Sequence, residues 1–201
     1  DWQDLENQIH KTAKLYGYEE IRTPIIENAA LFNRGVGQET DIVSKEMYSW
    51  EDKDKSTISL RPEMTASVVR SYIQHNLGSN SLLKRLYYIG PSFRRERPQK
   101  GRQRQFHQFG IEAIGSEYPE QDAEVITMAY KIYETFGIKG LSVKINSIGS
   151  ANIREKYLTK LRESLKKIES DFCKTCQNRI NKNALRLFDC KSPSCQEILD
   201  N

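Results

Sequence analysis

Apolar side chains recur at helical intervals in four stretches of the chain, which predicts four amphipathic helices. The first is marked by Trp2, Leu5, Ile9, Ala13 and Tyr16, with Gly17 ending it, and the others by Ala66, Val69, Ile73 and Leu77, by Ile126, Tyr130, Tyr133 and Phe136, and by Ile153, Tyr157, Leu161, Leu165 and Ile168. Strands are predicted where short apolar runs or strict alternation occur, at residues 18–24, 45–50, 56–60, 86–90, 105–114 and 141–148. Residues 31–43 and 51–55 are rich in glycine or charge and predict loops.

The most unusual stretch runs from Phe93 to Gly115. Its first part, residues 94–104, contains Pro98 and Gly101 and has no apolar period, which predicts a loop. Against the single acid Glu96, this loop carries Arg94, Arg95, Arg97, Lys100, Arg102 and Arg104. Because guanidinium groups form planar, bidentate contacts with phosphates and carboxylates, the loop indicates a multiply anionic ligand.

The second part, residues 105–114, alternates as a strand does. Gln108 and Glu112 fall on one face of it, between Phe106 and Ile114. Polar groups on such a half-buried face must be paired, either by the protein or by a ligand. The residues alone leave two interpretations open: a polar specificity site beside the basic loop, or a surface hairpin whose polar pair is satisfied in the core.

Composition sets broad limits on the class of protein. Hydrophobic residues make up 37% and charged residues 29% of the 201 positions, and no apolar run approaches the roughly 20 residues of a membrane span. The net charge of +4 permits contact with nucleic acid without arguing for it. The chain has no signal-peptide pattern, although it opens on Asp1 rather than Met, and we expect a cytosolic protein that lacks its first residues.

Four cysteines lie close together near the end of the sequence: Cys173, Cys176, Cys190 and Cys195. A C-x-x-C pair followed by a second close pair can wrap one tetrahedral zinc ion. The second pair is spaced more widely than in common zinc knuckles, so free thiols in a reducing compartment are the alternative. Both interpretations remain open.

Several motifs carry a resemblance to a known family. The segments FRRER and QKGRQRQFHQFGIEAIG resemble the second signature motif of class II aminoacyl-tRNA synthetases, in the form carried by histidyl-tRNA synthetases. The helix and strand of residues 2–24 resemble the first motif, and LFNRGVGQETDIV, LRPEMTA and NALRLFDCK resemble further family segments, with Met64 and Ala184 where glycine and proline are usual. The resemblance implies an α+β fold, a mainly antiparallel sheet flanked by helices. It further implies a catalytic core over residues 1–150 and the start of a small helical insertion domain over residues 151–201.

The resemblance also implies a set of site residues. Histidine would be bound by Glu63, Met64, Thr65, Arg94, Gln108 and Glu112, with Glu112 at the imidazole. ATP would be bound by Arg94, Glu96, Arg102 and Phe106, with Arg94 catalytic at the α-phosphate and Phe106 stacked on adenine. Mg²⁺ would share the phosphate charge.

The activity implied is that of a cytoplasmic, homodimeric histidine–tRNA ligase, which activates histidine with ATP and transfers it to tRNA(His). The third class II motif and the anticodon-binding domain of the family are not found in this sequence. We therefore expect a fragment that is inactive on its own. A second possibility is a non-catalytic, histidine-sensing paralogue, the regulatory subunit of ATP phosphoribosyltransferase. The presence of Arg94, Glu96, Arg102 and the cysteine-bearing segment favours the enzyme.

Overall fold

A computed structural model describes residues 1–37, 40, 42–79, 82–97, 99–147 and 149–200. The chain divides into two compact units, Asp1–Leu141 and Ser142–Asn201, whereas the sequence placed the boundary after Ser150. None of the helices in the described residues combines the length and the apolar character needed to cross a bilayer.

The first unit is organised around a long antiparallel hairpin. Its strands, β5 (Lys84–Phe93) and β6 (Gln105–Ile114), pair without a break from Lys84 opposite Ile114 to Phe93 opposite Gln105. A short strand, β1 (Glu19–Glu20), pairs in parallel with β5 at the outer edge, which gives the order β1-β5-β6. The predicted loop over residues 94–104 joins the two long strands. Its described residues are irregular, as predicted, apart from one isolated bridge between Gln99 and Arg102, and Pro98 lies outside the described residues.

Alternation along the hairpin assigns its side chains to two faces, as the sequence predicts. One face packs against two helices, α1 (Trp2–Leu15) and α4 (Pro119–Thr135). The core between them consists of the buried residues Ile9, Ala13, Tyr18, Tyr87, Met128 and Ile132. Helix α4 begins with Pro119 in its first turn, a position where the missing N–H of proline costs no intrahelical bond.

The other face packs against a third helix, α3 (Thr65–Gln74). A smaller core forms there from the buried residues Met64, Val68, Leu86 and Tyr88. Because α3 covers only part of this face, Gln108 and Glu112 keep some exposure to solvent. The hairpin therefore offers one face to the core and a partly open face to a ligand.

A second small sheet precedes the hairpin in the sequence. Its strands β2 (Ile26–Asn28), β3 (Ser49–Glu51) and β4 (Thr57–Leu60) pair in the antiparallel order β2-β4-β3. The Asn28 side chain accepts a hydrogen bond from the Ala30 backbone N–H and starts a one-turn helix, α2 (Ala29–Phe32).

Two predictions about this region are wrong in part. Residues 31–43 are not simply a loop, because helix α2 is followed by π-helical turns at Asn33–Gly37 and Ile42–Glu46; residues 38, 39 and 41 lie outside the described ranges. The second turn also takes up Lys45 and Glu46, so the predicted strand over residues 45–50 begins only at Ser49.

The predicted strand over residues 18–24 is also shortened. It pairs with β5 only at Glu19–Glu20, with one further bond from the Ile21 N–H to the Tyr87 carbonyl. Beyond that point the carbonyls of Thr23 and Pro24 accept hydrogen bonds from a guanidinium instead of a strand, and Pro24 has no N–H to offer.

The second unit is helical. It contains α5 (Ala151–Lys166), α6 (Lys174–Lys182) and α7 (Pro193–Asp200), with 3₁₀ turns at Glu169–Asp171 and Ala184–Asp189. Its core consists of eight buried residues: Leu165, Phe172, Cys176, Ile180, Ala184, Leu187, Cys190 and Cys195. The strand predicted over residues 141–148 is absent from residues 141–147, and Ile148 lies outside the described residues. A strand requires a neighbour for its backbone groups, and no described strand pairs with this segment.

The α+β class is confirmed, with an antiparallel hairpin at the centre of the first unit and helices on its faces.

Candidate active site

The open face of the hairpin brings together the polar residues that the sequence singled out. In the register of the two strands, Gln108 lies opposite Gly90, Gly110 opposite Tyr88 and Glu112 opposite Leu86. Residues directly opposite each other in an antiparallel pair share a face. Gln108 and Glu112 therefore share one face of the hairpin, with Gly110, which has no side chain, between them.

Gly110 leaves the space that the Tyr88 ring occupies. A Cβ at position 110 would lie 2.2 Å from both Cζ and Oη of Tyr88, far inside van der Waals contact. The ring crosses the glycine and points its hydroxyl along the strand toward Glu112. Tyr88 itself is only 5% exposed, so packing fixes this orientation.

The Tyr88 hydroxyl connects the strand to the start of helix α3. It donates a hydrogen bond to Glu112 Oε1 at 3.1 Å and lies 3.3 Å from the Thr65 hydroxyl. Burial raises the pKa of Tyr88, and the charge of Glu112 raises it further, so the hydroxyl keeps its proton and remains a donor. The three side chains form one polar group on the open face.

Glu112 is a half-buried carboxylate without a cation beside it. Burial raises its pKa, the hydroxyls of Thr65 and Tyr88 oppose the rise, and the nearby charge of Glu63 adds to it. No ion pair involves Glu112 among the described residues. A carboxylate in this setting gains from a ligand that donates a hydrogen bond or carries positive charge.

Gln108 has an unsatisfied group on the same face. Its Oε1 is buried and has no hydrogen-bond partner in the described part of the chain. Buried polar atoms are nearly always paired, so a missing partner indicates a ligand group or water. The open face therefore carries two acceptors that could bind donors of a ligand: the carboxylate of Glu112 and the amide oxygen of Gln108.

Glu63 and Met64 lie where helix α3 begins. Both carboxylate oxygens of Glu63 lie within hydrogen-bond distance of the Ala66 backbone N–H, at 3.0 and 3.3 Å, so Glu63 caps this helix. Met64 is 2% exposed and packs in the small core against Tyr88 and Leu86. Glu63 thus has a structural role beside the ligand-binding role that the resemblance implies, and its carboxylate oxygens keep lone pairs that can accept from a ligand.

The four residues assigned to ATP by resemblance also lie together. Glu96 forms ion pairs with Arg102 at 3.3 Å and, more loosely, with Arg94 at 3.9 Å. The Arg94 guanidinium carbon lies 5.1 Å from the centre of the Phe106 ring, within cation–π distance. The Nε of Arg94 donates to the Pro62 carbonyl at 2.9 Å. Arg94 thereby connects the start of the basic loop to the segment that carries Glu63.

Sequence reasoning missed two residues that shape this site. Tyr88 was counted only as part of an apolar run, although a glycine opposite an aromatic residue in a hairpin is a signal for a ring lying across the strand. Arg61 was passed over, yet it is 4% exposed and donates to the carbonyls of Pro91, Thr23 and Pro24 at 2.8, 2.7 and 3.4 Å. A charged residue directly after the predicted strand over residues 56–60 was the available signal.

Buried Arg61 joins three segments of backbone. Burial lowers the pKa of Arg61. The N–H groups of its guanidinium donate hydrogen bonds to three backbone carbonyls, which take the place of water. It stands immediately before Pro62, whose carbonyl receives Arg94. Gly90 makes room for it, since a Cβ there would lie 2.7 Å from a guanidinium nitrogen of Arg61.

In the second unit, the four cysteines predicted as possible metal ligands converge. Their sulfur atoms all lie within 4.8 Å of one another, and all four thiols are free. Hydrogen bonding to the Cys176 backbone lowers the pKa of Cys173 to about 7. The two cysteine pairs therefore form one sulfur cluster, the arrangement that a single zinc site requires.

Comparisons with known proteins identify the family. The family model described as histidyl-tRNA synthetase matches residues 1–176. A histidine–tRNA ligase of Desulfitobacterium hafniense is 54% identical over 197 residues, covering 98% of this chain and 46% of that protein. One from Staphylococcus epidermidis is 49% identical over 201 residues, covering 100% of this chain and 47% of that protein.

Solved structures agree with this assignment. The crystal structure of apo S. aureus histidyl-tRNA synthetase matches with a TM-score of 0.73 and 39% identity, over 98% of this chain and 45% of that one. An ATP phosphoribosyltransferase regulatory subunit/histidyl-tRNA synthetase from Bacillus halodurans matches with a TM-score of 0.62 but only 20% identity, which shows a shared fold alone. The chain spans about half the length of the curated relatives it matches. It belongs to the histidyl-tRNA synthetase family.

Proposed function

We propose that this chain forms the histidine- and ATP-binding part of a histidine–tRNA ligase. The observation that carries the proposal is the open face of the hairpin, where the half-buried carboxylate of Glu112 has no cationic partner among the described residues and accepts from Tyr88. A few residues away along the same hairpin, the loop of arginines offers charge to phosphates. Family membership supplies the reaction that joins these two kinds of ligand.

Glu112 is suited to recognise the imidazole of histidine. An ionised carboxylate accepts a hydrogen bond from an imidazole N–H, and the Tyr88 hydroxyl holds one of its oxygens in place. An apolar substrate such as leucine would leave the carboxylate unpaired, which costs about 1–3 kcal/mol or more. The site therefore discriminates against apolar amino acids because they leave the Glu112 carboxylate without a hydrogen-bond donor.

The other end of the amino acid would be held by residues nearby on the same face. Gln108 presents an unpaired amide oxygen, which would accept from the α-ammonium group. Thr65 and Glu63, at the start of α3, add a hydroxyl and a carboxylate, and the backbone at Met64 connects them. Arg94 donates to the Pro62 carbonyl, directly before Glu63, and in this proposal it would also bind the substrate carboxylate.

ATP would be held by the basic loop and the first residues of β6. In this proposal Arg94 binds the α-phosphate, Arg102 binds the terminal phosphate, and Glu96 lies at the adenine edge. Phe106 offers a ring on which adenine stacks. The ion pairs support this arrangement, because Arg94 and Arg102 lie 3.9 and 3.3 Å from the same carboxylate, that of Glu96.

The reaction needs positioning and charge neutralisation rather than a nucleophile from the protein. A carboxylate oxygen of histidine attacks the α-phosphorus, the bond to the β-phosphate oxygen breaks, and pyrophosphate leaves. Arg94 would neutralise charge on the α-phosphate as it rises. The histidyl group then passes from the adenylate to the end of tRNA(His), and AMP leaves.

Mg²⁺ would reduce the repulsion among the phosphates when it is bound with ATP. It prefers oxygen ligands and keeps several waters. Glu96 is the one carboxylate of the proposed ATP set, and it is already paired with arginines. The set therefore fits a Mg²⁺ whose ligands come chiefly from phosphates and water. The four cysteines lie in the second unit and are not among the residues proposed to bind histidine or ATP.

The remaining parts of the proposal concern the whole protein. We infer that residues 1–150 are the first part of the catalytic core and residues 151–201 part of an insertion domain. The protein would act in the cytoplasm as a homodimer, with the helix and strand of residues 2–24 at the interface. Large apolar residues exposed on the first unit, including Trp2, Leu15 and Ile26, support a partner there.

The direct test is aminoacylation by the full-length protein that carries this chain. We expect it to attach radiolabelled histidine to a tRNA(His) transcript when ATP and Mg²⁺ are present. A tRNA(Phe) transcript and labelled phenylalanine serve as negative controls. Binding of histidine without any charging would replace the ligase with the histidine-sensing regulatory paralogue.

A further inference from the structure

We propose that Cys173, Cys176, Cys190 and Cys195 bind one structural zinc ion that holds the second unit together. The inference goes beyond the ligase reaction, since nothing in that reaction uses these residues. It stands on the position of four sulfur atoms, the burial of the cysteines and the small core around them.

The geometry fits a single tetrahedral ion. Four ligands at the usual Zn–S distance of about 2.3 Å place their sulfur atoms about 3.8 Å apart. The four Sγ atoms already lie within 4.8 Å of one another, so binding requires each to move inward by only a fraction of an ångström. A disulfide needs about 2.05 Å and joins only two sulfurs at a time, which does not explain why all four converge.

The cysteines come from three different segments. Cys173 and Cys176 begin helix α6, Cys190 follows the 3₁₀ turn at Ala184–Asp189, and Cys195 lies in the first turn of α7. Chance packing of small apolar residues would not bring sulfur atoms from three separate segments to a single point. Four thiolates arranged in this way bind zinc in preference to magnesium or calcium, which prefer oxygen ligands.

Backbone and side-chain contacts fix the cluster in place. The Cys173 N–H donates to Cys195 Sγ at 3.4 Å, a bond that links the start of α6 to the start of α7. The side-chain amide of Gln196 donates to the Cys190 carbonyl and ties α7 to the end of the 3₁₀ turn. An N–H directed at sulfur favours the thiolate that a metal requires.

The charge around the cluster also suits a bound metal. Zinc with four thiolates carries a net charge of −2, which needs compensation in a small protein. The N-terminal ends of α6 and α7, both positive, meet at the cluster through Cys173 and Cys195. Lys174 and Lys191 follow two of the ligands directly in the sequence.

The second unit needs a stabilising element of this kind. Its core has eight buried residues, and three of them are cysteines, of which Cys176 and Cys195 are 0% exposed. Domains of this size rarely bury enough apolar surface to be stable alone, and a structural metal is a common solution. Zinc would close the three segments around one point and so contribute directly to folding.

The test is the metal content of the full-length protein, purified without added metal and measured by inductively coupled plasma mass spectrometry. We expect about one zinc ion per chain. The double variant Cys176→Ser with Cys195→Ser should lose the zinc, whereas Ile180→Val, a conservative change in the same core, should keep it. After exchange with Co²⁺, the wild type should show the ligand-field bands of tetrahedral thiolate coordination, and the double variant should not.

Any of four results would overturn the proposal. They are a wild type without zinc or cobalt bands, a metal content that the double variant retains, iron with visible absorbance in place of zinc, and pairs of disulfides found by mass spectrometry under non-reducing conditions. The measurement uses no histidine, ATP or tRNA, so its outcome is independent of the proposed ligase activity.

Discussion

The substitution Glu112→Gln tests the proposed recognition of histidine with little change in shape. Glutamine has nearly the volume of glutamate and keeps an oxygen that accepts the hydrogen bond from Tyr88, which is 3.1 Å long in the wild type. What the variant loses is the charge. Any change in histidine activation can then be attributed to the missing carboxylate rather than to a collapsed site.

The expected magnitude follows from the kind of hydrogen bond that is lost. A hydrogen bond to a charged group is worth about 1.5–3 kcal/mol, and a neutral one about 0.5–1.5 kcal/mol. The difference of about 1–1.5 kcal/mol corresponds to a five- to thirteen-fold lower kcat/KM for histidine. Glu112→Ala removes the acceptor altogether and leaves the imidazole N–H unpaired, so we expect that variant to show no detectable exchange.

The assay is histidine-dependent ATP–pyrophosphate exchange by the full-length protein, with histidine and ATP varied separately. The loss in Glu112→Gln should fall on the kcat/KM for histidine and leave the KM for ATP near its wild-type value. Glu124→Gln is the matched control, because Glu124 pairs with Arg85 at 3.0 Å on the opposite face of the hairpin. Near-normal exchange by Glu112→Ala, or an equal effect in the control, would refute the role of Glu112.

Three further predictions concern the same site. Gly110→Ala should displace the Tyr88 ring, because the new Cβ would meet it at 2.2 Å; a cost of about 1–3 kcal/mol should appear in urea unfolding, with exchange activity lost. Arg94→Lys keeps the charge but loses the bond from Nε to the Pro62 carbonyl, and we expect a fall of about ten- to hundred-fold in kcat/KM for ATP in the exchange assay. Because burial raises the folded pKa of Glu112, the folded state binds the extra proton, and the wild type should lose stability relative to Glu112→Gln as pH rises from about 4.3 through that raised value.

Each of these has a control or a contradicting result. Gly78→Ala also places a Cβ 2.2 Å from a tyrosine hydroxyl, that of Tyr72, but this ring is half-exposed and can swing aside, so the variant should be nearly neutral. Arg97→Lys, at an exposed position in the same loop, should leave the ATP dependence unchanged. A difference in unfolding free energy between wild type and Glu112→Gln that does not vary with pH would contradict the raised pKa.

The sequence predicted the hairpin and its two faces because alternation is a local signal. Burial of one face requires apolar residues at every second position, and the sequence from Gln105 to Ile114 shows this directly. The amphipathic helices were predicted for the same reason at a different period. The placement of Gln108 and Glu112 on the same face followed from their spacing alone.

Other features depend on partners that are distant in the sequence. Tyr88 becomes part of the site only because β5 pairs with β6 in the register that puts it opposite Gly110. Arg61 acquires its role from carbonyls of Thr23 and Pro91, far away on either side. Neither contact produces a periodic pattern in the sequence. The resemblance to a family implied roles for individual residues but did not indicate these supporting contacts.

The errors have physical causes of the same kind. The predicted strand over residues 141–148 has the right alternation, but alternation does not supply a neighbouring strand. The glycines at positions 35 and 37 suggested an open loop, whereas the segment around them closes into π-helical turns. Local pattern predicts which conformations a segment tolerates, and tertiary contacts decide which one it adopts.

We propose that the open face of the hairpin activates histidine with ATP. Histidine-dependent ATP–pyrophosphate exchange, measured for the full-length protein and for the 201-residue chain side by side, isolates this step from transfer to tRNA. We expect exchange with histidine and not with leucine or phenylalanine in the full-length protein, and little or none in the chain alone. Absence of histidine-dependent exchange in the full-length protein, with histidine still bound, would show that this face binds histidine without activating it.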